Sequence, residues 1–171
     1  DVARVAREVI KEIGYDDLAY GFDYKTCQIT TQLHEQSPDI AMGVDRGGAG
    51  DQGMMFGYAT DETRQLMPTP IVLAHQLVYE LAQIRKSGKL NYLRPDAKSQ
   101  VTVEYESDQP RRVAAIVVSA QHDGHVKLDT IERDMKSLLI EKVIPHQYLD
   151  RATRIFVNPT GRFEIGGPLG D

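Results

Sequence analysis

Val113-Ala114-Ala115-Ile116-Val117-Val118-Ser119-Ala120 carries no charged residue and is rich in β-branched side chains, so it reads as an apolar strand at the centre of a sheet. Before it, Glu106 to Pro110 is turn-rich. Further back, Val101, Val103 and Tyr105 alternate with Gln100, Thr102 and Glu104, the period-two pattern of a half-buried strand. The two runs are predicted to form a hairpin with a loop of moderate length. Downstream, Asp129 and Glu132 have the spacing of a capping box. Ile131, Met135, Leu138, Leu139 and Val143 then line one face of a predicted helix that Pro145 stops. Arg154 to Val157 is a further strand, running into Asn158-Pro159-Thr160-Gly161. Upstream, Pro68 and Pro70 mark the start of a helix in which Ile71, Ala74, Val78, Leu81, Ala82 and Arg85 recur at helical period, closed by Gly88. Met54 to Ala59 reads as a short buried strand.

From Met54 onward the order is strand, helix, strand, strand, helix, strand. The fold class is therefore α+β: a split β-α-β-β-α-β repeat with two helices on one face of a four-stranded, mainly antiparallel sheet. The other face is left for another domain or subunit. Ahead of this unit, Val2, Val5, Ala6, Val9, Ile10 and Ile13 recur at helical spacing, and Gly14 is placed to end that helix. Cys27, Ile29, Thr31 and Leu33 then alternate with Gln28, Thr30 and Gln32 as a half-buried strand. This helix and strand are assigned to a second, similar repeat. Gln36-Ser37-Pro38-Asp39 breaks the alternation, and a polar, glycine-rich loop runs on to Gly53.

The 171 residues suit one domain, or one domain plus part of another, and suffice for a real core. With 41% hydrophobic and 26% charged residues the composition is that of a globular protein. The net charge of −5 argues against general nucleic-acid binding but leaves a nucleotide ligand open. Cys27 is the only cysteine, which excludes an internal disulfide, fits a reducing cytosol and reads as a buried core thiol. No apolar run reaches the length of a membrane span, and the charges throughout Asp1 to Ile13 do not suit a signal peptide. The amphipathic pattern begins at once, without an initiator methionine, so the chain is expected to be a piece of something longer.

Two loops and one charged segment could carry chemistry. Gly48-Ala49-Gly50-Asp51-Gln52-Gly53-Met54-Met55-Phe56-Gly57-Tyr58 sets a carboxylate and an amide among glycines, where a ligand can approach the main chain closely. Arg94-Pro95-Asp96-Ala97-Lys98-Ser99-Gln100 puts two cations and a carboxylate ahead of a strand; such charges are solvated in most turns, yet both cations could meet phosphate. Gly161-Arg162-Phe163-Glu164-Ile165-Gly166-Gly167-Pro168-Leu169-Gly170-Asp171 pairs an arginine with an aromatic that could stack a purine; a plain turn is the rival reading. Neither glycine loop is a Walker A or Rossmann fingerprint. His122 and His125 flank Asp123-Gly124 in an apparent turn, which is weak support for a metal; no metal ligand is assigned. His75 reads as a packing residue. No serine has a nucleophile-elbow context, and Cys27 has no activating neighbour.

The chain resembles the S-adenosylmethionine synthetase (methionine adenosyltransferase) family. The resemblance rests on Gln36-Ser37-Pro38-Asp39-Ile40, Gly43-Val44-Asp45-Arg46, the glycine run through Tyr58 and Met67-Pro68-Thr69-Pro70. It continues through Leu93 to Gln100, Val117-Val118-Ser119-Ala120-Gln121-His122 and Asn158 to Asp171. It implies that residues 1–47 are the end of the family's N-terminal domain and 48–171 its central domain. It also implies synthesis of S-adenosylmethionine from ATP and L-methionine, with cleavage of the released triphosphate to phosphate and diphosphate. The implied setting is a cytoplasmic homodimer or homotetramer with shared active sites, using Mg2+ and K+, with no nucleic acid or membrane partner.

Carried over by position, Gln36, Asp51 and Asp171 would bind methionine, Asp51 pairing with its amino group. Asp96, Ala97, Lys98, Arg162, Phe163 and Asp171 would bind ATP. Asp51 and Lys98 would act in catalysis, Lys98 steadying the leaving phosphates, and Ser119 would have a minor role near the nucleotide. The resemblance has gaps. The family's His-Pro-Asp-Lys segment would precede residue 1, and its lysine-rich segment would follow Asp171. Arg46 also passes to Gly47-Gly48 with several residues fewer than the family's gating loop, through deletion or omission. Little activity is therefore expected of residues 1–171 alone. The alternative is a non-catalytic or degenerate nucleotide-binding homologue or subunit.

Overall fold

The apolar run at Val113–Ala120 does lie at the centre of the sheet. In the computed structural model, which describes residues 1–170, β2 (Gln109–His122) is flanked by β1 (Leu93–Glu106) and β3 (Arg154–Val157). β1 and β2 are antiparallel, whereas β3 runs parallel to β2. The sheet has three strands, not four, because Met54–Ala59 forms no strand: Met54, Met55 and Phe56 are 80, 86 and 88% exposed. The strand expected over Cys27–Leu33 is likewise absent, and Leu33 is fully in solvent. A strand needs a partner for its main-chain groups, and neither run has one here. Cys27 is half-buried beneath the N-terminal helix, with its Sγ 3.6 Å from Arg7 Nη1, instead of joining the core.

The hairpin is tighter than expected. Its connection is Ser107-Asp108, with φ of 51° and 62°, the paired positive values of a two-residue turn whose twist matches the strands. Toward its turn end the pairing slips, so that Thr102 faces Ala115 while Val103 faces Val113, leaving Ala114 as a bulge. That extra residue switches the parity of β2. Val113 and Ile116, three apart, both reach the same buried layer with no exposure. Ala97, Val101 and Val103 of β1, Val118 and Ala120 of β2, and Ile155 and Val157 of β3 complete that face.

Two helical segments cover it. α3 (Thr69–Lys86) follows α1 (Val2–Ile13) and α2 (Pro38–Val44) in the chain. It buries Leu73, Ala74, Leu77, Leu81 and Ile84. The stripe is rotated from the expected one, since Ile71 is exposed and Val78, Ala82 and Arg85 are only half-buried. The second segment runs from α4 (Leu128–Asp134) through a π-helical stretch, Met135–Ile140, into α5 (Glu141–Val143). The wider turn lets Ile131, Met135, Leu139 and Ile140 all face the core. The capping box does not form: Lys127 occupies the cap, and Asp129 lies within the first turn. Each fully buried Leu or Ile contributes about 1.5–3 kcal/mol, so this two-layer core anchors the site described below.

Glu62 ties α3 to the hairpin. Its Oε2 accepts from the Tyr105 hydroxyl at 2.6 Å and from the Thr69 N–H at 3.0 Å, engaging a free donor of the helix's first turn. The Tyr105 hydroxyl foremost, then the Thr69 amide, hold the Glu62 carboxyl below its ordinary value of 4.5, while burial and the bond to Glu62 push Tyr105 up to about 12. The signs are opposite. Glu62's contribution is present above its ordinary value and lost as pH falls through the lowered one. Tyr105's is present below 10 and lost as pH rises to about 12. Tyr105→Phe is therefore expected to flatten the alkaline loss and shrink the acid one, read as denaturant midpoint against pH.

α1 is an N-terminal helix with no buried residue. Asp1 caps it through the Arg4 N–H, and Gly14 ends it at φ 117°, a conformation that favours glycine. It is held by its edges. Arg7 donates to the carbonyls of Tyr24, Lys25 and Cys27, and Arg85 of α3 donates to Ile13 O at 2.5 Å. No described helix is long and apolar enough to cross a membrane.

Candidate nucleotide site

Asp96-Ala97-Lys98 lies in a strand, not in the turn expected for it. β1 starts at Leu93, and the first irregularity in its pairing with β2 falls between Leu93 and Ala97, where Pro95 has no N–H to donate. Strand alternation then separates the three residues. Ala97 pairs with Ala120 and packs against the helical layer, so any ligand contact it makes is through its main chain. Lys98 stands on the open face opposite Ser119, exposed and without an ion-pair partner among the described residues.

The Arg162–Phe163 loop is brought to this face by β3. Asn158, at φ 45° and buried, begins the return. Its Oδ1 accepts from Ala120 N–H at 2.8 Å and its Nδ2 donates to Ala120 O at 3.1 Å, extending the β2–β3 pairing by a side chain. The loop is then stitched to β1 and β2. Asp96 Oδ2 accepts from Gly167 N–H at 2.9 Å. Gln121 Oε1 accepts from Asp96 N–H at 3.3 Å, while its Nε2 donates to Glu164 O at 3.0 Å. His122 meets Phe163 twice, its own N–H donating to Phe163 O at 2.9 Å and its Nε2 accepting from Phe163 N–H at 3.1 Å. Gly166 leaves room for these contacts: a Cβ there would lie 2.7 Å from Phe163 Cε2 and 2.8 Å from Asp96 Oδ2, so one or both side chains would have to shift.

The result sets the half-buried Phe163 ring 5.8 Å from Lys98 Nζ. Arg162 is exposed, with Glu164 Oε1 4.0 Å from its Nη1. Arg162, Phe163, Glu164 and Ile165 line a shallow depression of about 320 Å3. Arg94, behind it, pairs with Asp123 and lies 4.0 Å over the Tyr20 ring, so it is already engaged and is not a free phosphate ligand. An unpaired ammonium, an aromatic face and an arginine at a loop suit a purine nucleotide with its phosphates. The larger depression, about 660 Å3, shares none of these residues; it is an open groove beside α1, lined by Arg4, Arg7 and Lys11.

The methionine-side residues are not gathered here. Gln36 is exposed just before α2, and Asp51 is exposed, its Oδ1 accepting only from the neighbouring Gln52 N–H at 2.7 Å. Among the described residues no hydrogen bond, ion pair or ring contact joins either to Asp96, Lys98, Arg162 or Phe163. Asp171 lies outside the described residues. His122 is buried with both ring nitrogens engaged by main chain, and His125 is exposed; among the described residues no group of three or more His, Cys, Asp or Glu could hold a metal ion. In the sequence Gln121 is visible only as part of a matching segment, and His122 only there and as a weak metal candidate with His125. What gives them weight is that the Gln121 side chain bonds both segments, at Asp96 and Glu164, while the His122 ring holds Phe163.

Family models of S-adenosylmethionine synthetase match most of the chain, the N-terminal domain over residues 1–38 and the central domain over 46–163. The chain belongs to the S-adenosylmethionine synthetase family. It is 57% identical over 178 positions to the S-adenosylmethionine synthase of Sorangium cellulosum (strain So ce56), covering all of this chain and 42% of that protein. It is 53% identical over 185 positions to the S-adenosylmethionine synthase of Clostridium botulinum (strain Alaska E43 / Type E3), covering all of this chain and 47% of that protein. The chain thus spans about half the length of the curated relatives it matches. Both alignments exceed the 171 residues of the chain, so the relatives carry residues within the span that this chain lacks.

Proposed function

We propose that this chain supplies the nucleotide-holding part of an S-adenosylmethionine synthase, which joins ATP and L-methionine. The observation that carries this reading is the stitching of Asp96–Lys98 to Arg162–Phe163 by Gln121, His122 and Gly167, in a chain whose family is established. The methionine sulfur attacks C5′ of ATP, forming S–C5′ as the C5′–O bond breaks and triphosphate leaves. Water then splits the triphosphate into phosphate and diphosphate. The sulfur is already nucleophilic, so no general base is needed at that step; alignment and stabilisation of charge on the leaving group carry the barrier. Lys98 meets that charge, Arg162 grips phosphate, and Phe163 packs on the adenine. Gln36, Asp51 and Asp171 bind methionine, Asp51 pairing with its ammonium group. They do so in the assembled protein; among the described residues Gln36 and Asp51 are exposed and apart from the nucleotide residues.

The reading extends to a homodimer or homotetramer with shared sites, in the cytoplasm, with residues 1–47 in the N-terminal domain and 48–171 in the central domain. Met54–Ala59, apolar and exposed, would complete a four-stranded sheet and its β-α-β-β-α-β repeat in the whole protein. Mg2+ and K+ are the expected ions. Among the described residues no group of three or more His, Cys, Asp or Glu could hold a metal ion, and none of the steps above is routed through one.

Calorimetry on the full-length protein with a non-hydrolysable ATP analogue and methionine, together with a product assay, tests the proposal. Each ligand is expected to tighten the binding of the other, with S-adenosylmethionine formed from the true substrates. Nucleotide binding without product would favour a non-catalytic homologue; binding of neither ligand would overturn the reading.

A further inference from the structure

We propose that His122 is a positioning residue for the nucleotide loop, presenting the Phe163 ring beside Lys98 by holding both polar groups of the Phe163 peptide. The proposal rests on the nucleotide-site reading above. His122 is 2% exposed, so it acts through Phe163 and not on a ligand directly. Its protonation pattern follows from its partners. Nδ1 lies 3.0 Å from Asp123 O, which can only accept, so Nδ1 carries the hydrogen. Nε2 is then the free acceptor that meets Phe163 N–H, while the His122 main-chain N–H closes on Phe163 O.

No other described group duplicates this. Asn158 ties the loop's start to Ala120, Gln121 holds Glu164, and Asp96 holds Gly167, but the Phe163 peptide itself depends on His122. Without the imidazole a half-buried N–H loses its partner, and the ring is free to leave its place against Gly166 and Lys98. Ordering the loop is then charged against nucleotide binding.

The test uses the full-length protein. His122→Ala is expected to raise KM for ATP about tenfold, with KM for methionine changed by less than about twofold. His122→Gln, whose Oε1 can accept from the same N–H, is expected to restore KM for ATP to within about threefold of the parent value. In the parent protein labelled with 15N in histidine and phenylalanine, the His122 shifts should report hydrogen on Nδ1, and a coupling across the hydrogen bond should join Nε2 to the Phe163 amide. An unchanged KM for ATP in the alanine variant, or a glutamine variant no better than alanine, overturns the proposal. So does hydrogen on Nε2 in the spectrum, which decides the matter even if the alanine variant fails to fold. Failure of the parent to make S-adenosylmethionine would instead strike the functional reading and leave the spectroscopic test standing.

Discussion

Lys98→Ala in the full-length protein is expected to lower kcat for S-adenosylmethionine formation by about a hundredfold to a thousandfold, the usual cost of removing one preorganised donor from a site of developing charge. Lys98 suits that role because of where the sheet puts it. It projects from β1 on the face away from the helices, opposite Ser119, and forms no ion pair among the described residues. Arg94, only four residues earlier, is already paired with Asp123 and stacked on Tyr20. Lys98→Arg keeps the charge but replaces a point-like ammonium with a planar fork, so an intermediate loss is expected. Gln100→Ala, two residues along the same open face and with no side-chain hydrogen bond or ion pair among the described residues, should leave the rate unchanged. A Lys98→Ala variant retaining more than about a tenth of kcat would remove Lys98 from the chemical step.

Asn158→Ala is expected to destabilise the fold by about 3 kcal/mol, the largest effect on stability from a single side chain outside the apolar core. Two buried main-chain groups of Ala120 lose their partner at once, and each orphaned group costs about 1–3 kcal/mol. Asn158 also sits at φ 45°, which asparagine tolerates better than alanine, adding about 1 kcal/mol. Asn158→Gly separates the two causes: it relieves the backbone and still forfeits both bonds, so most of the loss should remain. Asn158→Asp keeps the acceptor for Ala120 N–H and sets a carboxylate against Ala120 O. Chemical denaturation measures all three, and a loss below about 1 kcal/mol for alanine would show that the β2–β3 pairing does not need this bridge.

Much of the architecture could be read from the residues where a pattern and its partner lie close in sequence. Val113–Ala120, Val101–Tyr105 and the two covering helices are of this kind. Patterns whose partner is not among neighbouring residues misled. Met54–Ala59 and Cys27–Leu33 have the composition of strands, but composition does not supply an edge to pair with. In α3 the apolar residues nearly encircle the helix, so periodicity alone placed Ala74 and Leu81 but could not choose between Ile71–Val78–Ala82 and Leu73–Leu77–Ile84. Ser107-Asp108 lacks the glycine that announces a two-residue turn, and the bulge at Ala114 leaves no trace in an already apolar run.

The candidate site divides along the same line. Lys98, Arg162 and Phe163 stood out by type, and the sheet does bring Lys98 and Phe163 together. That Asp96 would bind an amide of the second loop, that Gln121 would join the two segments and that His122 would hold Phe163 depends on contacts distant in sequence that no local motif encodes.

The parallel pairing of β2 with β3 also sets an order of events during folding. A hairpin can close as soon as its two strands exist, but a parallel neighbour must wait for the whole helical crossover from Asp123 to Thr153 to be made and docked. The Asp96–Lys98 half of the site is therefore in place early, on local contacts, whereas the Arg162–Phe163 half arrives late and by a long route. On the proposed reading a nascent chain would display its lysine before it could grip a nucleotide, and competence would follow only when the last strand zips against the middle one.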